Sequence, residues 1–207
     1  MKNPLGKLFV ISAPSGAGKT TLCQELVRHD PHLHHLVSHT TRTPRPGEQD
    51  GRDYTFISQD EFSRMIDADL FAEWAVVHGN YYGTSMERIQ KILECGEDVL
   101  MDIDVQGAGQ IRRRNLDATF VFILPPSMEV LSGRLRNRRS DAEDVISRRL
   151  QKAAEEIQCY KQYDYLVIND ELGKALEKLQ AIITAARLEV GWLDERWIAK
   201  EFYLNPG

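Results

Sequence analysis

The chain has 207 residues, a formal net charge of −5 and a pI near 5.7. That length can bury a real core and suits one domain with insertions, while the acidic balance excludes a general nucleic-acid binder. No apolar run reaches the roughly 18 residues a membrane helix needs, MKNPLGKLFV holds no signal-peptide core, and Cys23, Cys95 and Cys159 are too scattered for a CxxC motif. The expectation is a cytoplasmic protein with reduced thiols and neither a membrane nor a nucleic-acid partner.

Lys7 to Ser12 is short, apolar and rich in Phe, Val and Ile, which predicts a buried strand. Ala13-Pro14-Ser15-Gly16-Ala17-Gly18-Lys19-Thr20 follows and leads through Thr21 into a helical pattern that stops before Asp30-Pro31. The order is that of a phosphate-binding loop, GxxxxGK[ST], with Ala13 in the first glycine's place. The glycines let backbone N–H groups face an anion, and the following helix points its positive end at the same spot. Lys19 then reaches the β and γ phosphates of a nucleoside triphosphate, and the Thr20 hydroxyl serves Mg²⁺.

His32 to His35 reads as a solvated loop and Leu36 to His39 as a second, short strand. Residues 40–57 are rich in Pro, Gly and Arg and return to strand character at Tyr54 to Ile57. Ser58 to Glu61 is a capping box for a helix to about Ala68. Phe71 to His78 is strand-like, Asn80 to Gly83 is a turn into a strand end, and Thr84 to Glu87 is a second capping box whose helix ends at Cys95-Gly96. Residues 40–84 thus read as a small, partly β insertion in an α/β frame made of 1–39 and 85–207.

The frame resumes with a strand over Asp98 to Ile103, a helix over about Gln106 to Arg114, and a strand over Thr119 to Leu124. Ser127 caps a helix over 128–136, Asn137-Arg138-Arg139 breaks it, and a third capping box at Ser140 to Glu143 opens a helix to about Tyr160. Tyr165 to Ile168 is the last core strand, and Leu172 to about Leu188 is an amphipathic helix. The tail carries Trp192, Trp197, Phe202 and Tyr203, and the sequence leaves open whether it packs on the body or on a second copy in a homo-oligomer. Alternating strands and helices imply a parallel sheet covered on both faces, with the phosphate loop at the carboxyl ends of its strands.

Several segments together resemble the guanylate kinases, a family of nucleoside-monophosphate kinases. They are the phosphate loop, Ser38-His-Thr-Thr-Arg42-Thr-Pro-Arg45-Pro-Gly47-Glu48, Gly51-Arg-Asp-Tyr54-Thr-Phe56, Glu73-Trp74, Gly79-Asn-Tyr-Tyr82-Gly83-Thr84 and Asp102-Ile-Asp104-Val-Gln-Gly107. The resemblance runs from about Leu8 to Asp170. It implies a P-loop α/β kinase with a GMP-binding insertion at 40–84 and a helical, arginine-bearing lid at about 127–160.

It also implies roles. Ser38, Arg42, Arg45, Tyr54 and Tyr82 hold the GMP phosphate. Glu73 accepts the guanine N1–H and 2-amino donors, and Thr84 adds a contact at the base. Asp102 and Asp104 lie between donor and acceptor, although a plain helix-capping role stays open for them. Ala13 to Thr21 and Asn169 bind ATP. Lys19, Arg42, Arg134, Arg138 and Arg149 neutralise charge on the transferring group, with Mg²⁺ as cofactor. The implied reaction is ATP + GMP ⇌ ADP + GDP, with dGMP as a second acceptor. The insertion is expected to swing toward the phosphate loop when GMP binds. Two rival readings are a binding module that has lost ATP chemistry and a kinase of the same fold with another acceptor. The intact Gly16, Gly18, Lys19 and Thr20 oppose the first, and Glu73 with Thr84 opposes the second.

Overall fold

The computed structural model describes residues 5–77, 79–136, 143–190 and 195–203. The first elements are β1 (Leu8–Ser12), α1 (Lys19–His29), β2 (Leu33–His35), β3 (His39–Thr40), β4 (Thr55–Phe56) and α2 (Gln59–Asp67). Next come β5 (Phe71–Val77), β6 (Asn80–Ser85), α3 (Met86–Glu94), β7 (Asp98–Asp102), α4 (Val105–Arg113) and β8 (Ala118–Leu124). The chain then forms α5 (Met128–Arg136), α6 (Glu143–Ile157), a 3-10 turn (Gln158–Gln162), β9 (Tyr165–Ile168), α7 (Leu172–Arg187) and α8 (Glu195–Glu201).

The central sheet has the order β2-β7-β1-β8-β9, and every neighbouring pair is parallel. Parallel strands must be covered on both faces, and β1 shows how the sequence arranges it. Its side chains alternate: Phe9 and Ile11 pack with Leu22, Leu26 and Leu179 under α1 and α7, and Leu8 and Val10 pack with Ile89 and Ile111 under α3 and α4. Each fully buried residue of this size contributes roughly 1.5–3 kcal/mol. A third, smaller cluster of Leu131, Leu135, Ile146 and Ala153 joins α5 to α6. The chain runs from β1 out to β2, returns to β7 between them, and then crosses from β7 past β1 to β8 and β9 on the other side, so the strand order switches direction beside β1. Such a switch point opens a crevice beyond the strands' carboxyl ends.

A second sheet, β4-β3-β6-β5, is built from residues 39–85. Phe62 of α2 stacks on Phe71 of β5 at 4.3 Å, and both rings are fully buried.

Local readings needed three corrections. The second strand of the central sheet is Leu33–His35, not Leu36–His39, because Leu33 is fully buried and the segment pairs in parallel with β7. Leu36 to Ser38 then crosses to the second sheet. Asn80 to Gly83 is strand rather than turn, since β6 pairs along its length with β5 and the reversal falls at Gly79, φ 79°. Ser85, not Thr84, caps α3, accepting from the Arg88 N–H, because pairing with β5 keeps Thr84 in the strand. The Ser58 and Ser127 caps form as expected, and α6 gives way to the 3-10 turn at Gln158. The breaker at 137–139, with Arg138, the Ser140 cap and Trp192 lie outside the described residues. Among the described residues no helix is long and apolar enough to cross a membrane.

Candidate active site

The phosphate loop leaves β1 and enters α1 through Gly16 and Gly18, both at φ 94°. This left-handed backbone favours glycine. A Cβ on Gly16 would lie 2.8 Å from Leu135, and one on Gly18 would clash with the Asn169 amide. The loop is therefore walled by the α5 helix on one side and by the end of β9 on the other. Asn169 is buried and donates from Nδ2 to the Ala17 carbonyl at 2.8 Å. Arg134 donates to the same carbonyl at 3.4 Å and to the Asn169 carbonyl at 2.9 Å. Arg149 of α6 donates to the Ser15 hydroxyl at 2.7 Å. Two arginines of the expected lid thus stand on the loop itself.

Three cavities follow one another along this crevice. One of about 390 Å³ is walled by Arg134, Asn169, Asp170 and Gly18. The next, about 240 Å³, is the loop's own cradle from Ala13 and Pro14 to Thr20 and Thr21. The third, about 500 Å³, shares Lys19 and Thr20 with the cradle and extends to Ser38, Tyr54, Glu73, Tyr82, Asp102 and Asp104. Those shared residues make the three one continuous groove.

Lys19 projects from the first turn of α1 toward the carboxyl end of β7. Its Nζ donates to the Asp102 and Ile103 carbonyls at 2.5 and 3.2 Å and lies 3.8 Å from the Asp102 carboxylate. Asp102 also accepts from His35 Nε2 at 2.9 Å. Burial pushes the Asp102 carboxyl up, but the His35 hydrogen bond and the Lys19 ammonium outweigh it, leaving it below its ordinary value. Asp104 caps α4, accepting from the Gln106 and Gly107 N–H groups at 3.0 and 2.9 Å, so the plain capping role is real for this residue.

Glu73 lines the third of these cavities and is 7% exposed. A bulge between Phe71 and Glu73 brings it opposite Thr84. The Thr84 hydroxyl donates to Glu73 Oε1 at 2.6 Å, and Ser38 Oγ is 3.5 Å from Thr84 Oγ1. Burial pushes the Glu73 carboxyl up to about 7, with Asp104 adding to the rise and Thr84 and Lys19 opposing it.

Arg42 Nη2 donates to both Glu48 carboxylate oxygens, at 2.8 and 2.9 Å, and the guanidinium lies over the Tyr54 ring at 5.4 Å. Tyr54 in turn packs edge-on against Tyr82 at 5.8 Å. Arg45 is exposed on the same loop, its N–H held by Glu48 at 2.7 Å. Arg42, Tyr54 and Tyr82 are thus brought together, and Arg45 is tied to the same carboxylate through its backbone.

Sequence reasoning gave no role to Glu48, His35 or Gly107. A carboxylate within an arginine-rich loop is a readable signal for Glu48. His35 had none, since its partner is 67 residues away and meets it only through β2–β7 pairing. In the histidine cluster His32 and His34 sit at 3.0 and 3.5 Å from Glu97, and among the described residues no group of three or more His, Cys, Asp or Glu side chains is placed to hold a metal ion. Cys23 lines the third cavity, but burial pushes its thiol up to about 12, which makes it a poor nucleophile.

The guanylate kinase family profile matches residues 5–186. The chain is 54% identical to a guanylate kinase of Geobacter sulfurreducens, over 87% of this chain and 89% of that protein. It is 47% identical to a guanylate kinase of Desulfitobacterium hafniense, over 92% and 95%. The crystal structure of guanylate kinase from Anaplasma phagocytophilum superposes with a TM-score of 0.78 at 29% identity, covering 100% of both chains.

Proposed function

This chain belongs to the guanylate kinase family, and we propose that the groove described above transfers the γ-phosphoryl group of ATP to GMP, giving ADP and GDP. The observation that carries this reading is the buried Glu73–Thr84 pair, with Glu73 lining the same cavity as Lys19 and Thr20 of the phosphate loop. A buried carboxylate there suits a base edge that offers two donors. Guanine has them, in N1–H and the 2-amino group. Adenine lacks both and leaves Glu73 unpaired, a mismatch that such sites reject by roughly 10⁴ to 10⁵.

ATP lies along the other two cavities, its base near Asn169 and its phosphates against the N–H groups of Ser15 to Thr21. The GMP phosphate meets Arg42, Arg45, Ser38 and the hydroxyls of Tyr54 and Tyr82, all within the insertion at 40–84 and its junction at Ser38. Glu48 holds the Arg42 guanidinium through Nη2. Asp102 and Asp104 stand between the two nucleotides.

The nucleophile is an anionic phosphate oxygen of GMP, so no strong general base is needed. The protein aligns that oxygen with the γ phosphorus and offsets the charge that spreads over the transferring group. Lys19, Arg134 and Arg149 do so from three sides, with Arg138 as a further lid cation. Thr20 and the phosphates of ATP offer the hard oxygen ligands that suit Mg²⁺. Bound there, the ion supplies further neutralisation of the β and γ phosphates. Closure of the insertion over GMP excludes water that would otherwise hydrolyse ATP. dGMP is a second acceptor, because no side chain of this set has to hold a 2′-hydroxyl.

The test is ADP production from ATP and Mg²⁺ with GMP, AMP, UMP, CMP or no acceptor. Turnover with GMP alone is expected, abolished in Lys19→Ala and relaxed toward other bases in Glu73→Ala. GMP binding without turnover points instead to a binding module, and turnover with another acceptor overturns the guanine assignment.

A further inference from the structure

In the second sheet β5 is an edge strand. An edge presents backbone N–H and C=O groups that need partners. At Trp74 one side chain from the core meets both. The Trp74 N–H donates to Gln110 Oε1 at 3.1 Å, and Gln110 Nε2 donates to the Trp74 carbonyl at 2.7 Å. The Gln110 amide therefore takes the place of one residue of a neighbouring strand.

Gln110 acts together with its neighbours on α4. Gly107, Gln110 and Arg114 are spaced i, i+3 and i+7 and share one helix face. Arg114, the C-cap residue, forks onto Asp69 just ahead of β5. A Cβ on Gly107 would lie 2.9 Å from Glu73 Oε2, so glycine lets the carboxylate rest against the helix. One face of a core helix thus touches the approach to β5, the Glu73 side chain and the backbone of the residue that follows.

We propose that Gln110 is a positioning residue for base selection: it pins the β5 backbone at Trp74 to the core helix, so that the adjoining Glu73 carboxylate keeps one place relative to the phosphate loop while the rest of 40–84 closes. The inference rests on the reading of Glu73 as the carboxylate that accepts from guanine. A hydrogen-bonding pair of this kind works only when held within about 0.5 Å of its productive place, and a strand edge without a partner does not supply that.

The experiment is steady-state kinetics on the full chain with GMP and with IMP, which keeps N1–H but lacks the 2-amino group. Gln110→Met and Glu73→Gln are compared with the unsubstituted protein. Gln110→Met keeps the shape of the side chain and removes both hydrogen bonds. The expected result is a KM for GMP raised about tenfold with kcat within about twofold, and a GMP/IMP ratio of kcat/KM reduced about fivefold. A ratio unchanged in Gln110→Met but lost in Glu73→Gln overturns the positioning role and leaves the base reading intact. So does a loss confined to kcat or shared equally by the two acceptors. A ratio unchanged in Glu73→Gln overturns the base reading itself. Should Gln110→Met fail to fold, hydrogen exchange on the unsubstituted protein decides: the Trp74 amide is expected to exchange about 100-fold more slowly than the Gly79 amide, and equal rates overturn the proposal.

Discussion

The Thr84 hydroxyl donates to the Glu73 carboxylate at 2.6 Å across the β5–β6 pair, and both residues are buried. This bond holds the carboxyl lower than burial alone would. Guanine donors favour the ionised form, so GMP affinity falls as pH drops below about 7. Thr84→Val removes the bond, and the inflection moves to higher pH, whereas Thr84→Ser keeps it in place. Titrations of GMP from pH 5.5 to 8.5 check this, because the ionisation of GMP's own phosphate is common to all three proteins. Coincident curves for Thr84→Val and the unsubstituted chain would refute it.

Glu73 also links stability to pH. Its folded value of about 7 stands above the ordinary 4.5. Between these values the folded protein binds more protons than the unfolded chain. This contribution to stability is full below about 4.5, is lost as pH rises through about 7, and is then flat. It amounts to roughly 3 kcal/mol at most. Glu73→Gln does not titrate, so the decline in urea-unfolding free energy between pH 5 and 8 becomes shallower. A decline of equal steepness in both proteins would exclude Glu73 as its source.

Lys19→Met removes a cation from the loop while keeping the length of the side chain. The expected loss in kcat is on the order of 10³-fold. Thermal midpoints move little, because the hydrogen bonds of Lys19 go to the Asp102 and Ile103 carbonyls and its ion pair with the Asp102 carboxylate is long, at 3.8 Å. A loss below tenfold would place the charge neutralisation elsewhere.

Gly18→Ala forces a side chain into left-handed backbone and toward the Asn169 amide. The backbone strain alone costs about 1–2 kcal/mol. Displacing Asn169 also loosens Ala17 and the wall of the ATP cavity. A lower melting temperature and a raised KM for ATP, with the KM for GMP nearly constant, are the expected signs. Equal changes in both KM values would argue against the assignment of that cavity.

Asp98 serves as a structural control. It is buried at the amino end of β7, away from the groove, and accepts from the Lys7 N–H at 2.7 Å and from Arg187 Nε at 2.6 Å. Arg187 also pairs with Asp30 at 2.8 Å, which ties the end of α7 to the sheet. Asp98→Ala breaks this network, at a cost of about 3–5 kcal/mol. Kinetic constants measured well below the melting temperature stay within about twofold, and a selective loss of GMP binding would contradict the separation of this network from the site.

What the sequence by itself determined was local. The phosphate loop is legible because a strand, two glycines, Lys19 and Thr20 are contiguous, and their chemistry follows from backbone sterics and the helix end. The Ser58 and Ser127 caps are legible for the same reason. Four of the five core strands emerge from apolar runs between breakers; β2 does not, because polar His34 and His35 read as a solvated loop and mask a paired edge. The capping pattern at 84–87 fits two registers, Thr84 and Ser85. Only pairing with β5 decides between them, and it gives Thr84 to Glu73 and Ser85 to the helix. The contacts of Lys19 with the end of β7, His35 with Asp102, Arg149 with Ser15 and Gln110 with Trp74 join residues 36 to 134 positions apart. No local pattern encodes such pairs. They exist because right-handed crossovers bring the carboxyl ends of parallel strands to one edge, and because the helix after β7 lies along the open edge of the second sheet.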